Sequence, residues 1–459
     1  MVRAGRHTAF SKSSGISFES MVRHPDLPPV IVSAEHWTPR LEAALEWTFT
    51  SILGLCWKQV AEQDIEAADS PWKLRYGGTS DGSGHRILPH GLLSASEMRA
   101  NPPDEQEGDL LALIFWMGSR MEEHVDAAIR DGHGRFDPTR CPSMERGWIG
   151  RPVCEAWAFR LGSRVLGADW PAHEARLKEE YTIESTVDVD SAFAFMGKST
   201  WRTAGALGRD LMTGQWDRAN RRVRACRGLE QDPYDTYDRI LRLHEACGLK
   251  PRWFFLLSRF GRHDKGVGAG SRQLRSLMHR LEESHPGSVQ WHPGYAAAGD
   301  ARSLEWEFEA FNGIMGRPPS ASRQHYLRMV PGVTRRRLLE LGIKEDHTEG
   351  HAAVAGFRGG FSRPRPWYDL GHEKLTELML FPFAAMDATL NRYMGLEPDA
   401  AAPHVRALAD QVRTTGGAFR LLWHNETLVP EGDWKGWDST YPNVLEVLSG
   451  NGVQTVPLD

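Results

Sequence analysis

The side chains best suited to chemistry fall where short apolar runs end. Thr186-Val187-Asp188-Val189-Asp190 sets two carboxylates one residue apart. In an extended segment residues two apart face the same side, so both acids can reach one point. Like charges that close repel unless a cation or a shared proton lies between them, which suits metal binding or acid–base work. A helix N-cap beside a solvated acid is the structural alternative. Ser288-Val289-Gln290-Trp291 runs into His292-Pro293-Gly294-Tyr295, an imidazole at a strand end before a turn, either a ligand or a hydrogen-bonded structural residue. Ser322-Arg323-Gln324-His325-Tyr326-Leu327-Arg328 holds a second imidazole between guanidiniums, part of a site or a surface phosphate or salt-bridge loop. Phe419-Arg420-Leu421-Leu422-Trp423 delivers His424-Asn425-Glu426 in the same manner. Aspartate with imidazole suits zinc or another divalent metal, so metal-assisted hydrolysis is the default reaction class.

Those residues need a sheet to bring them together. After about Tyr181 short apolar runs alternate with helical patterns, as βα units do. Strands are predicted at 184–189, 252–257, 288–291, 376–381 and 418–423, with helices over 236–246, 272–283, 303–315, 334–341 and 404–415. This rhythm implies a mainly parallel sheet or barrel, whose ligands bind beyond the C-terminal strand ends. Gly266-Val267-Gly268-Ala269-Gly270 lacks the Gly-Lys-Ser/Thr of a phosphate loop and is expected to be a flexible loop at the mouth. Residues 31–180 read as a small α/β domain with a strand at Val30–Val32, an amphipathic helix through Leu41, Leu45, Phe49 and Ile52, and a second helix from Asp109 to about Arg130. Residues 1–30 read as a frayed arm.

Composition narrows the function classes. Across 459 residues, 55 Lys and Arg against 60 Asp and Glu give a net charge of -5, which argues against a dedicated nucleic-acid binder. The longest strongly apolar run, Leu110–Met117, is far short of a bilayer span. No apolar block follows the basic residues near the start, so a cytoplasmic protein is expected. Five cysteines without a C-x-x-C pair indicate neither a disulfide framework nor a thiolate zinc site, and are expected to be buried thiols.

In order and character these motifs resemble the polysaccharide deacetylase superfamily of carbohydrate esterases, more closely its bacterial branch with an uncharacterised N-terminal domain. Pro89-His90-Gly91-Leu92-Leu93, Ala112-Leu113-Ile114-Phe115-Trp116 with Ser119-Arg120, His292-Pro293-Gly294-Tyr295 and the Ser322–Arg328 segment carry the resemblance over about residues 30–445. It implies a distorted (β/α) barrel over 181–459 that holds one divalent metal, zinc by expectation, and removes an acetyl group from an N-acylated amino sugar through metal-activated water. By position, Asp188 matches the general base, Asp190 and His292 metal ligands, Arg323 the arginine orienting the base, and His424 the general acid. The acidic pair is adjacent in the superfamily, whereas Val189 separates it here, so the two acidic roles could be exchanged. The second metal histidine should follow the first by four positions, where Ala296 stands, and His325 is the expected replacement. Tyr295, Tyr326, Arg328, Arg358 and Trp367 are the expected contacts to a carbohydrate substrate, Trp367 and Tyr368 from a Pro-rich loop. A non-catalytic carbohydrate-binding or assembly protein with a degenerate barrel is the alternative, an amidase for a small amide a third reading, and a homo-oligomer is possible in each.

Overall fold

A computed structural model describes residues 24–78, 82–125 and 129–450. Most of the expected N-terminal arm, residues 1–23, lies outside them. The described residues form a mixed α/β fold on two sheets. The first is four-stranded and parallel, in the order β2-β1-β3-β4, with β1 Val30–Ala34, β2 Trp57–Gln59, β3 Lys73–Tyr76 and β4 His85–Ile87. Helix α1, Pro39–Leu45, starts where the Thr38 side chain accepts from the Leu41 amide and Pro39 presets the first turn, then widens into a π-helical stretch over Glu46–Ile52. Helix α2, Leu110–Gly118, is apolar all round and wholly buried, so it is the centre of this half rather than an amphipathic surface helix.

The second helix was expected to reach Arg130 but stops at Gly118. Arg120 adopts a left-handed backbone (φ 56°), which a continuous right-handed helix does not allow, and its buried guanidinium pairs with Glu123 at 3.0 Å. Helix α3, Val153–Leu166, and helix α4, Trp170–Glu179, complete this half.

The second sheet has nine strands in the order β10-β11-β9-β8-β7-β6-β5-β13-β12. They are β5 Thr182–Val189, β6 Arg252–Leu256, β7 Val289–His292, β8 Ala321–Ser322, β9 Glu345–Asp346, β10 Arg365–Asp369, β11 Lys374–Leu380, β12 Ala385–Met386 and β13 Ala418–His424. All pairings are parallel except the β10–β11 hairpin. No ladder joins β10 to β12 among the described residues, so the sheet is not closed by hydrogen bonds. Along β5, Val187 and Val189 enter the large core with Trp253, Phe255, Trp291 and Trp423, and Asp188 faces the opposite side.

Two expectations change here. Trp367 and Tyr368 belong to β10, not to a loop, and both are buried. Proline fits this strand because β10 is the edge of the sheet, where a missing N–H breaks no ladder. Cys226 is exposed and Cys56 half-buried, so only three of the five thiols are buried.

Candidate active site

The C-terminal ends of β5, β7, β8 and β13 meet at one cleft of about 430 Å³. Register makes this necessary: Asp188 pairs with His424 across β5 and β13, and Trp291 with Ser322 across β7 and β8. Asp190 lies one residue beyond β5, and His325 begins the turn after β8.

At the floor, Asp190 Oδ1 lies 3.2 Å from His292 Nε2, and Asp190 Oδ2 lies 3.2 Å from His325 Nε2. One donor atom from each of the three fits within 4.8 Å of the others, the compactness a single cation requires. The ring nitrogens facing away are occupied. His292 Nδ1 donates to the Arg323 carbonyl, and His325 Nδ1 donates to Asp264 at 2.7 Å. Those bonds select the tautomer whose Nε2 lone pair points into the cleft, the support that metal-binding histidines usually have. Asp190 Oδ1 is buried and makes no hydrogen bond, a costly orphan that a cation would satisfy. The donor set therefore fits a divalent ion.

Around it sit the other strand-end groups. Asp188 Oδ1 accepts from Arg323 Nη1 at 2.7 Å, and its Oδ2 is 3.7 Å from His292. Arg323 is wholly buried over the Phe254 ring and donates Nε to the His347 carbonyl, so it has one orientation. His424 Nε2 is 3.8 Å from Asp190, and its Nδ1 donates to Asp387 at 2.7 Å. Asp387 also accepts from the His424 amide and the Thr427 hydroxyl, each at 2.8 Å.

The charges set each other's protonation. Burial alone would raise the Asp190 carboxyl, but His325, His292 and His424 hold it well below the ordinary range. Burial works against a charged imidazole at His424, yet Asp387, Asp190 and Asp188 push it up to about 10. His325 is likewise pushed up to about 10 by Asp190 and Asp264 against its burial, in the absence of any cation. Glu426, on the cleft wall, is pushed up to about 7 by burial and by Asp190.

Thus Asp188, Asp190, His292, His325 and His424 come together, with Arg323 behind Asp188. Of the expected substrate contacts only Tyr326 lines the cleft. Tyr295 stands behind it, stacked on His263 at 4.0 Å, with the Arg328 guanidinium 4.6 Å from the centre of its ring. Arg358 and Trp367 do not belong to the cleft. Arg358 is buried in a two-bond ion pair with Glu123, at 2.8 and 2.6 Å, and Trp367 packs in the core.

Several contributors escape sequence reasoning. Asp264 and Asp387 support the imidazoles, and only their positions shortly after β6 and β12 could have signalled them. Arg135 comes from the N-terminal half. The Arg130–Phe136 bridge closes a short hairpin whose tip reaches the cleft, where Arg135 donates to the Tyr326 carbonyl at 3.0 Å and to the Tyr393 hydroxyl at 2.9 Å. Tyr326 and Leu327 both have positive φ, 61° and 54°, a strained turn for such side chains, directly after His325.

Comparison with known proteins gives three findings. Residues 30–171 match the sequence profile of a family of unknown function (DUF7033). No curated protein matches the chain in sequence. Among solved structures, a Mycobacterium smegmatis protein assigned to the polysaccharide deacetylases aligns at 14% identity and TM-score 0.39, over 60% of this chain and 86% of its own. An allantoinase aligns at 11% identity and TM-score 0.37, over 60% of this chain and 86% of its own. A Pseudomonas aeruginosa protein assigned to the polysaccharide deacetylases aligns at 11% and 0.37, over 71% and 93%.

Proposed function

We propose that this protein is a metal-dependent hydrolase of carbon–nitrogen amide bonds, releasing an acetyl or other acyl group from an N-acylated amino sugar or related amide. The observation that carries this reading is the Asp190–His292–His325 triad, its outer ring nitrogens already engaged, beside Asp188 paired with Arg323 and a charged His424 imidazole. A divalent cation held by these three residues would supply Lewis acidity, acidifying water and polarising the scissile carbonyl.

The chain's own groups account for the proton movements. Asp188, ion-paired with Arg323 at 2.7 Å, is placed to take a proton from the attacking water. His424, kept as imidazolium by Asp387, presents Nε2 to the cleft and can donate to the departing amine. Asp188 and His424 stand on adjacent strands, so acid and base flank a single substrate position. The walls, with Tyr326, Tyr393 and Trp434, offer the amphipathic surface that suits a sugar ring.

The test joins metal analysis to turnover. Purified protein is expected to carry about one divalent ion per chain and to release acetate from N-acetylglucosamine oligomers. Asp190→Ala should lose the metal, whereas His424→Ala should keep it and turn over roughly 100- to 10,000-fold more slowly. Metal-free protein that binds the sugar without acetate release would favour the non-catalytic alternative.

A further inference from the structure

Between β5 and helix Tyr237–Ala246 the chain makes an excursion of two helices, α5 Thr200–Met212 and α6 Trp216–Cys226. The polarity of α5 is reversed. Its buried residue is the acid Asp210, bound to Arg222 of α6 at 2.8 Å. Its exposed residues include Trp201, Ala204, Gly205, Leu211 and Met212, which lie on one side of the helix and so form one exposed stripe. Trp201 is 67% exposed and Met212 85%, and across the turn Trp216 is 66% exposed. At the other end Trp201 meets the edge of Phe260 at 5.9 Å, and the Phe260 ring lies under Arg202 at 4.0 Å and Lys265 at 5.0 Å. Lys265 is a wall of the cleft, so the apolar stripe runs from the hairpin tip to the cleft mouth.

An unpartnered apolar face of this size marks an interaction site, and its charge selects the partner. Residues 196–232 contain eight Lys and Arg against four Asp and Glu, a basic island in a chain whose net charge is -5. Glu230 engages Arg221 and Arg224, and the buried Asp210 pairs with Arg222 and Arg218, leaving Lys198, Arg202, Arg209 and Arg227, against the single exposed acid Asp217, without an ion pair among the described residues. A second copy presenting the same face would set like charge against like charge. A bilayer with anionic headgroups answers both features, taking apolar side chains at its boundary, indoles at headgroup level and Arg and Lys at its negative surface. Among the described residues no helix is long and apolar enough to cross a membrane, so the contact would lie in the plane of the interface.

We propose that the α5–α6 excursion docks this protein on an anionic lipid bilayer through Trp201, Leu211, Met212, Trp216 and Phe260, flanked by Arg202, Arg209 and Lys265. The inference does not depend on the hydrolase reading. Full-length protein should float with vesicles of phosphatidylcholine containing about a third phosphatidylglycerol, should not float with phosphatidylcholine alone, and should detach at high salt. Its tryptophan emission should shift to the blue on binding. Trp201→Ser with Met212→Ser, and separately Arg209→Glu with Arg202→Gln, should each lower the bound fraction roughly ten-fold while circular dichroism stays at the wild-type spectrum. Three results would overturn the proposal: no flotation with the anionic vesicles, flotation unchanged in both double variants, or a solution dimer that Trp201→Ser with Met212→Ser dissolves, which would give the face to a second copy.

Discussion

His424 carries a positive charge because Asp387 holds it from beneath, and that pair is the most consequential at the scale of single residues. A group whose folded pKa is raised to about 10 stabilises the fold fully below its ordinary 6.5, and that contribution is lost as pH climbs from 6.5 through 10. Asp387→Asn removes the main attraction for the charged form. The NMR-detected titration of His424 in the metal-free protein should then fall by at least about one unit, and the loss of stability on the alkaline side should flatten. In the loaded enzyme the alkaline limb of activity should move to lower pH, because the donor is deprotonated earlier. Asp188, His292 and His424 were legible in the sequence because each ends an apolar run, and strand ends collect at one rim of a parallel sheet. Asp264 and Asp387 were not, since their roles arise from loops that meet those imidazoles only in space.

At the scale of elements, the strained turn after β8 depends on a hairpin from the other half of the molecule. His133 approaches the Tyr326 ring at 4.9 Å, and Arg135 binds the Tyr326 carbonyl, so two N-terminal residues brace the turn that begins at His325. Positive φ at Tyr326 and Leu327 costs of order 1 kcal/mol or more each, and persists only where neighbours enforce it. Arg135→Ala is therefore expected to weaken metal affinity roughly ten-fold by loosening His325, read by competition against a chelator, with the far-UV spectrum unchanged. The five predicted strands and four of the five helices match to within two residues, because each is apolar at the right period, whereas the helix predicted at 404–415 starts six residues earlier, at Pro398. The two-residue strands β8 and β9 are too short to leave a pattern, and Pro366 within β10, with Pro364 just before it, disguises an edge strand as a loop.

For the molecule as a whole, acid sensitivity is built into four imidazoles, three of them buried and His124 half-buried. Burial pushes His124, His244 and His347 down to about 4 and His351 down to about 3. Each lowered histidine stabilises the fold fully above its ordinary value of 6.5, and that contribution is lost as pH falls from 6.5 through about 4. For His244, whose ring bonds the Ile240 carbonyl and the Tyr441 hydroxyl, the loss reaches about 3 kcal/mol at the acid end. Glu122, Glu307 and Glu426, raised to about 7, 8 and 7, act in the opposite sense over part of the same range. A comparison with His244→Gln isolates the term: urea midpoints of wild type and variant should converge as pH falls from 6.5 to 4.

The two sheets also do not part cleanly. Phe361, Tyr368 and Leu370, all beyond residue 180, fill the core beneath the first sheet, the Trp47 indole donates to the Pro366 carbonyl at 2.9 Å, and Arg365 donates to the Gly118 carbonyl at 2.9 Å. A fragment beginning at β5 would carry these aromatics as an uncovered greasy tongue, and one ending at α4 would keep the matching empty socket. Neither half can be traded like a cassette into another protein.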